Sequence, residues 1–424
     1  VMLFNQTKAG LSLTRWVNEV LPKSTALRIL VGCSSTEQLP PLGSYYDFMN
    51  RFWKGNKAIY SRNKVYPPTK NKNRPKLDIG SDGKLKDPST KRTWMLVDSI
   101  LDGKRISDTP ERALQDIFFL LAVQPSIDSG LIDAEHLTLS GDGTAVPAHA
   151  SSYGHIPKAL KPCDNPSECP RHYSDPDADW GYDSSKKSYY FGRTLYMLCC
   201  RNNEHKVELP VLLYFTKAKR HDSINFLHAF DDFTHHNNGI MPLNMCLDSA
   251  HDNYATYHLL DALNINAFID INGRSRKSEF YPDDIVFDKE GHPHCRLGES
   301  MIPWGNDSRK HAHKYCCPLK CGKIQSCPHE QECSPGNCGR TVYISDHKDL
   351  RFHPNVPRDS EKYKSIYSER TASERVNNRV LNDYQLQSLR IRGTAHYSFW
   401  TMLIGICIHL DARYKVSLKS RAAK

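Results

Sequence analysis

The sequence predicts an α/β protein built on a mixed sheet with flanking helices, preceded by a helical, basic region and interrupted late by a cysteine-rich insertion. Three observations carry that expectation. Short apolar, strand-like runs alternate with helical apolar spacing between residues 137 and 271. A stretch rich in Pro, Gly and Cys breaks the rhythm from 272 to about 365, and helix-forming residues return after it.

Taken in order, residues 11–20 are amphipathic, and residues 110–123 set Pro110 near a helix start with Leu114, Ile117, Phe118, Leu120 and Leu121 at helical spacing. From Leu137 the pattern becomes that of a strand closing in a tight turn at Gly141-Asp142-Gly143. The runs 194–200 and 208–215 flank the turn Asn202-Asn203-Glu204 and predict a hairpin continuing that sheet, with Cys199 and Cys200 on opposite faces. A helix over 223–235, a buried strand over 243–247, a helix over 253–263 and a strand over 267–271 follow. Residues 365–389 are nearly free of Gly and Pro, which predicts a helical stretch. The apolar run 397–410 has 14 residues and includes Ser398, Thr401 and His409, short of the roughly 20 a membrane span needs, so a buried helix is expected. Four regions result: 1–130, helical and basic; 131–271, the first part of the core; 272–365, the insertion; and 366–424, the closing helices.

At 424 residues the chain can bury a substantial core, and about 150 residues per domain suggests two to three domains. Hydrophobic residues make up 39% and charged residues 25%, which excludes a disordered or fibrous class. No charged segment leads into an apolar one at the N-terminus, so a cytoplasmic protein is expected. Val1 in first place reads as a fragment or a GTG start, and a prokaryotic gene is the expectation.

The net charge of +10 is concentrated. Residues 51–92 carry 13 basic and three acidic side chains, punctuated by Pro67, Pro68, Pro75 and Pro88 and interleaved with Phe52, Trp53, Tyr60 and Tyr66. Such a segment suits the neutralisation of phosphates, the plain alternative being a solvated linker. A second basic stretch ends the chain from Arg413 to Lys424.

Of 14 cysteines, six fall between Cys316 and Cys338 among prolines and glycines. In a chain expected to be cytoplasmic, metal binding explains them better than disulfides. Cys317, Cys321, Cys327, Cys333 and Cys338 are the candidate zinc ligands, with His329 a substitute, because short Pro- and Gly-rich turns can set four soft ligands in a tetrahedron. Redox-active or inert thiols are the alternatives. Cys163, Cys169 and His172 form a weaker group, read as ordinary loop residues.

The chemistry points to carboxylates. Asp142 and Asp248 each close an apolar strand, and two strands that are neighbours would deliver both to one sheet edge, where ligands of α/β sheets bind. A third carboxylate would let such a site hold two magnesium ions, hard cations that take oxygen ligands. Tyr367, Arg370 and Glu374, spaced by three and four, share a helical face with Asn378 and supply it. The bland readings are turn or helix caps for the aspartates, with Asp252 a helix cap, and a solvated Arg370–Glu374 ion pair.

Tyr367-x2-Arg370-x3-Glu374 resembles the C-terminal signature of insertion-sequence transposases of the DDE class. Ser140-Gly-Asp142-Gly-Thr144 and the run from Leu247-Asp248 through Tyr257 are similar to the first and second acidic motifs of one prokaryotic subfamily, as are the stretch from Arg171 to Asp183, the Cys317-Pro-x2-Cys321 segment, and the stretch from Tyr45 to Trp53. The resemblance spans nearly the whole chain and implies an RNase H-like core interrupted by an insertion before the last acidic helix. It implies that Asp142, Asp248 and Glu374 are the metal-binding triad, separated by 106 and 126 residues, with Mg2+ or Mn2+ as cofactor. It further implies that Tyr367 and Arg370 contact the transposon end near the scissile phosphate, that double-stranded DNA is the partner, and that the protein acts as a homodimer on paired ends. Leu381 stands where the signature has Lys, with Arg375 and Arg379 as the nearest basic residues. The basic N-terminal region and Lys186, Lys187 and Arg193 are expected to hold the duplex.

The expected mechanism is hydrolysis at the element's end by two metals, followed by attack of the freed 3′-OH on target DNA with no covalent enzyme intermediate. Two rivals are a nuclease or resolvase on the same core, which would cut without joining, and a zinc-containing DNA-binding remnant, which would bind without cutting.

Overall fold

The computed structural model describes residues 13–51, 63–65, 88–106, 112–156, 170–237, 239–273, 276–309, 311–333, 337, 339–345 and 348–422. Most of the basic stretch 51–92 lies outside these residues, as do Pro110, Cys163, Cys169 and Cys338.

A six-stranded mixed sheet flanked by helices forms the centre, as the α/β expectation required. Its strands are β1 (Thr138–Pro147), β2 (Asp179–Asp183), β3 (Ser188–Asn202), β4 (Val207–Lys217), β5 (Asn244–Leu247) and β6 (Asn266–Ile269). Strand β3 is 15 residues long and pairs antiparallel with β2 through Ser188–Gly192 and with β4 through Arg193–Asn202. It also pairs antiparallel with β1, which pairs parallel with β5, and β5 pairs parallel with β6. The order is therefore β4-β3-β1-β5-β6, with β2 an added strand on β3. Parallel neighbours need crossover connections. Helix α1 (Asp222–His236) carries the chain from β4 to β5, and α2 (Tyr254–Ala262) carries it from β5 to β6.

Two local expectations are corrected. The first strand does not turn at Asp142 but continues to Pro147, so Asp142 lies in mid-strand opposite Met197. The helix α2 is capped by Asn253, whose Oδ1 accepts the Thr256 N–H at 2.9 Å, and not by Asp252. Asp252 instead takes two hydrogen bonds of 2.7 Å from Arg351 of the insertion, a buried ion pair.

After the sheet, the insertion folds around its own small core of Ile285, Phe287, Met301, Val342, Ile344 and Phe352. It carries a three-stranded antiparallel sheet of β7 (Ile302–Asp307), β8 (Ala312–Cys316) and β9 (Thr341–Ser345), the last as expected, and a short antiparallel ladder that pairs Val286–Phe287 with Pro293–His294. After its strands, α3 (Glu361–Tyr367), a 3-10 turn (Ser368–Arg370), α4 (Thr371–Asn378) and a π-helical turn (Arg379–Asp383) follow one another directly, so the helix expected over 365–389 begins at Glu361 and ends at Asp383, ahead of Gln385 at φ +55°.

The closing helix α5 (Thr394–Ala422) is buried along the apolar run, and a Cβ on Gly405 would lie 2.7 Å from both Leu213 and Phe118. Its His409 is a satisfied core histidine, bonded to Ser126 Oγ at 2.8 Å and to the Pro210 carbonyl at 2.7 Å, and burial pushes its pKa down to about 4. Among the described residues no helix is long and apolar enough to cross a membrane. In the N-terminal part, Leu114 and Phe118 are buried as expected, but Leu120 and Leu121 are 62% and 52% exposed. The helix Arg112–Phe118 loosens into a π-helical turn at Phe119–Val123, which rotates those two leucines off the buried stripe.

Candidate active site

The carboxylates gather where the parallel strands deliver them. Ser140 of β1 stands opposite Cys246 of β5, so Asp142 in mid-strand and Asp248 just past the end of β5, each two residues further on, stand at the same level of neighbouring strands. Asp142 sits between two glycines for a steric reason. A Cβ on Gly141 would lie 2.7 Å from Tyr196 Oη, and one on Gly143 would lie 2.5 Å from Asp222 Oδ1. The glycines let other side chains close onto the strand, which is the close approach a residue without a Cβ permits.

Burial first, then the charges of Asp248 and Asp222 and more weakly that of Glu374, push the Asp142 carboxyl up to about 7, with His251 opposing. Asn377 Nδ2 donates to Asp142 Oδ2 at 3.0 Å, and the Ser373 N–H donates to Ser140 Oγ at 3.2 Å, so α4 is fastened to β1 at both points. Asp248 begins a 3-10 turn and accepts from the Ala250 N–H at 3.0 Å and from His251 Nδ1 at 2.6 Å, both on Oδ1. Burial works to raise its pKa, but the hydrogen bond and charge of His251, joined by the Ala250 N–H and the charge of Arg370, outweigh burial and hold the carboxyl below its ordinary value. His251 is itself pulled upward: burial disfavours its charged form, and Asp248, Asp222 and Asp142 reverse that effect.

Glu374 in the first turn of α4 is half-exposed and takes a 2.8 Å bond from Arg370 Nη1, the i,i+4 pair that its spacing allows. Arg370 lies over the ring of Tyr367 at 5.9 Å, and Tyr367 stacks on Tyr363. Burial and the adjoining Asp270 push the Tyr367 hydroxyl far up from its ordinary value. The three carboxylates, the arginine and the tyrosine thus share one neighbourhood.

Among the described residues no three His, Cys, Asp or Glu side chains converge tightly enough to enclose one metal ion. The donor set is nonetheless hard oxygen throughout, which suits magnesium. Burial raises Asp142 most, and the repulsion that adds to it is a charge imbalance that a divalent cation relieves.

Other expected site residues divide. Lys186 and Lys187 occupy the exposed turn between β2 and β3, with Lys186 3.6 Å from Asp183, and they face solvent. Arg193 does not. Its side chain is 1% exposed, bonded in bidentate fashion to Asp175, 2.9 Å from Thr394 Oγ1, 3.8 Å from Asp177 and stacked over Tyr397. A guanidinium enclosed in this way holds the 171–183 stretch to α5 and is buried away from any DNA backbone. Arg375 and Arg379, the neighbours of the missing Lys, both reach back to Glu208.

Cys317, Cys321, Cys327 and Cys333 are half-buried. Cys317, Cys327 and Cys333 line one cavity with Cys295 and His329. A Cβ on Gly339, at φ +60°, would lie 2.8 Å from Cys317 Cβ, so the chain just past Cys338 runs against Cys317.

Sequence reasoning did not single out Asp222, His251, Tyr196 or Asn377 as site residues. Asp222 opens α1 one residue ahead of the expected helix start, and its nearness to β1 follows only from folding. His251 had a visible signal, three residues beyond Asp248 in the same motif. Protein-family models and curated proteins return no match to this chain.

Proposed function

We propose that this chain is a DNA transposase of the DDE class, with an RNase H-like core and the triad Asp142, Asp248 and Glu374. The observation that carries the reading is the convergence of three carboxylates far apart in sequence: Asp142 and Asp248 stand at one level of paired strands, and the helix that bears Glu374 is bonded to Asp142 through Asn377. The sheet order supports it: three antiparallel strands followed by two parallel ones, the first acid on β1, the second after β5, and the third on the helix that follows the insertion.

Asp142 and Asp248 would hold the divalent cations, with Glu374 completing the set. Bound magnesium or manganese supplies an activated water and a stabilised leaving oxygen at the scissile phosphodiester. The residues of the chain do the rest. Arg370 holds Glu374, Asn377 holds Asp142, and Lys186 and Lys187 stand in solvent where they can neutralise phosphates. The partner is double-stranded DNA bearing the element's ends, bound by a homodimer, in a prokaryotic cytoplasm. The cysteines of the insertion hold a structural zinc.

The test begins with the DNA beside the gene, where imperfect inverted repeats bracketed by a short direct duplication are expected. A duplex ending in those repeats is then incubated with the protein and Mg2+. Metal-dependent nicking that vanishes in Asp142→Ala supports the triad, and joining of the cut 3′ end to a second duplex separates a transposase from a nuclease. Binding without any cleavage would favour the DNA-binding remnant, the reading to which Leu381, packed against the core in place of the signature Lys, gives weight.

A further inference from the structure

A line of buried side chains ends on Asp248. Tyr196 of β3 is fully buried, and its hydroxyl lies 2.8 Å from His251 Nε2. His251, 1% exposed, places Nδ1 2.6 Å from Asp248 Oδ1. Phe226 of α1 meets the imidazole edge to face at 5.9 Å, and the absence of a Cβ on Gly141 makes room for the tyrosine hydroxyl. Both ring nitrogens are engaged by side chains, and the ring is shut off from solvent. His251 is therefore placed neither to ligate a metal nor to take a proton from substrate.

We propose that His251, itself held by Tyr196, is a positioning residue that sets the rotation of the Asp248 carboxylate. It does so from one side only. The bonds from Ala250 N–H and from His251 both fall on Oδ1, leaving Oδ2 without a hydrogen bond among the described residues on a side chain that is 40% exposed. A carboxylate pinned through one oxygen presents the other in a fixed direction, and partners of this kind tune metal affinity by roughly 10- to 100-fold where they have been removed. The tautomer follows: Nδ1 carries the proton that bonds Asp248. This inference rests on the DDE reading, because it assigns Asp248 Oδ2 to a divalent cation.

The experiment uses the full chain, with Mn2+ binding by calorimetry, thermal melting, and the kcat and KM of Mg2+-dependent nicking. His251→Ala is expected to weaken Mn2+ binding roughly 10- to 100-fold and to lower kcat with little change in KM for DNA. His251→Asn, whose amide N–H can occupy the Nδ1 position, restores much of the affinity, and Tyr196→Phe loses less than His251→Ala. Wild-type Mn2+ affinity in His251→Ala, or an Asn variant no better than Ala when both melt normally, overturns the assignment. Should His251→Ala fail to fold, the imidazole nitrogen shifts of the unaltered protein decide: a proton on Nδ1 supports the proposal, and a bare Nδ1 overturns it. Failure of the underlying reading looks different. In that case Asp248→Asn binds Mn2+ as the parent does, or the parent binds none.

Discussion

Asn377 and Asp142, 235 residues apart, are joined by a 3.0 Å hydrogen bond from Nδ2 to Oδ2 that couples the third acidic helix to the first acidic strand. Asn377 lies one turn beyond Glu374, so the same helix that brings the third carboxylate also supplies a donor to the first. Loss of a donor to an ionised acceptor costs about 1.5–3 kcal/mol, roughly tenfold or more in rate if fully expressed in the reaction. Asn377→Ala should lower Mg2+-dependent nicking by that factor and move the acid limb of its pH profile upward, because the ionised carboxylate loses its partner. A profile identical to the parent's would remove Asn377 from the site.

The elevated Asp142 makes stability depend on pH with a definite sign. Its folded-state pKa of about 7 exceeds the ordinary 3.8, so the folded chain binds this proton more tightly than the unfolded chain does. The contribution is complete below pH 3.8 and is lost as pH rises through 7. In chelator, Asp142→Asn should match the parent near pH 4 and exceed it at pH 8 by on the order of a few kcal/mol. Melting curves at the two pH values check this. Mn2+ should close the gap at pH 8 by stabilising the parent selectively, and its affinity should rise with pH through 7 as it displaces the proton.

Arg193 and the lysine pair should behave oppositely. Removing one partner of a buried ion pair costs about 3–5 kcal/mol, so Arg193→Ala should melt well below the parent while its folded fraction binds DNA normally. Lys186→Ala with Lys187→Ala should melt as the parent does and reduce DNA affinity. The slope of log affinity against log salt should flatten by about 0.9 per lost phosphate contact. Titration of labelled duplex at several salt concentrations distinguishes the two cases.

Gly143 tests the closeness of Asp222. A Cβ 2.5 Å from Asp222 Oδ1 cannot be accommodated without movement, so Gly143→Ala should destabilise by about 1–3 kcal/mol. Combination with Asp222→Ala should recover most of that loss, a coupling that a double-mutant cycle on melting data measures. Additive effects would place the strain elsewhere.

For the insertion, the purified parent should contain about one zinc per chain, and Cys317→Ser should lose it, as elemental analysis will report. Because the insertion's own apolar core is small, metal loss should also lower its melting temperature. Zinc retained after Cys317→Ser would exclude that cysteine from the site.

The succession of elements was legible in the amino-acid sequence because it depends on local periodicity. The β3–β4 hairpin, the two crossover helices, strand β9 and the buried closing helix all stand where apolar spacing predicts them. The candidate triad was legible too, through motifs in which each acid sits beside a structural marker. What misled was local chemistry with two meanings. Gly-Asp-Gly reads as a turn, yet Gly141 and Gly143 are there for the space Tyr196 and Asp222 occupy, and the strand runs straight through. Asp252 reads as a cap, yet Asn253 fills that role and Asp252 meets Arg351, 99 residues away.

The sequence by itself therefore determined the α/β class, the order of the core's strands and helices apart from β2, the position of the insertion and which carboxylates deserve the first mutations. Those follow from backbone propensity and side-chain period, which act over a few residues. Only the tertiary structure decided that Arg193 is a core cation, that Asp222 stands beside Asp142, and that Asn377 and His251 hold Asp142 and Asp248. Each of those facts is a distance between side chains brought from different elements. Such a distance comes into being only when the sheet closes its register and the helices pack against it.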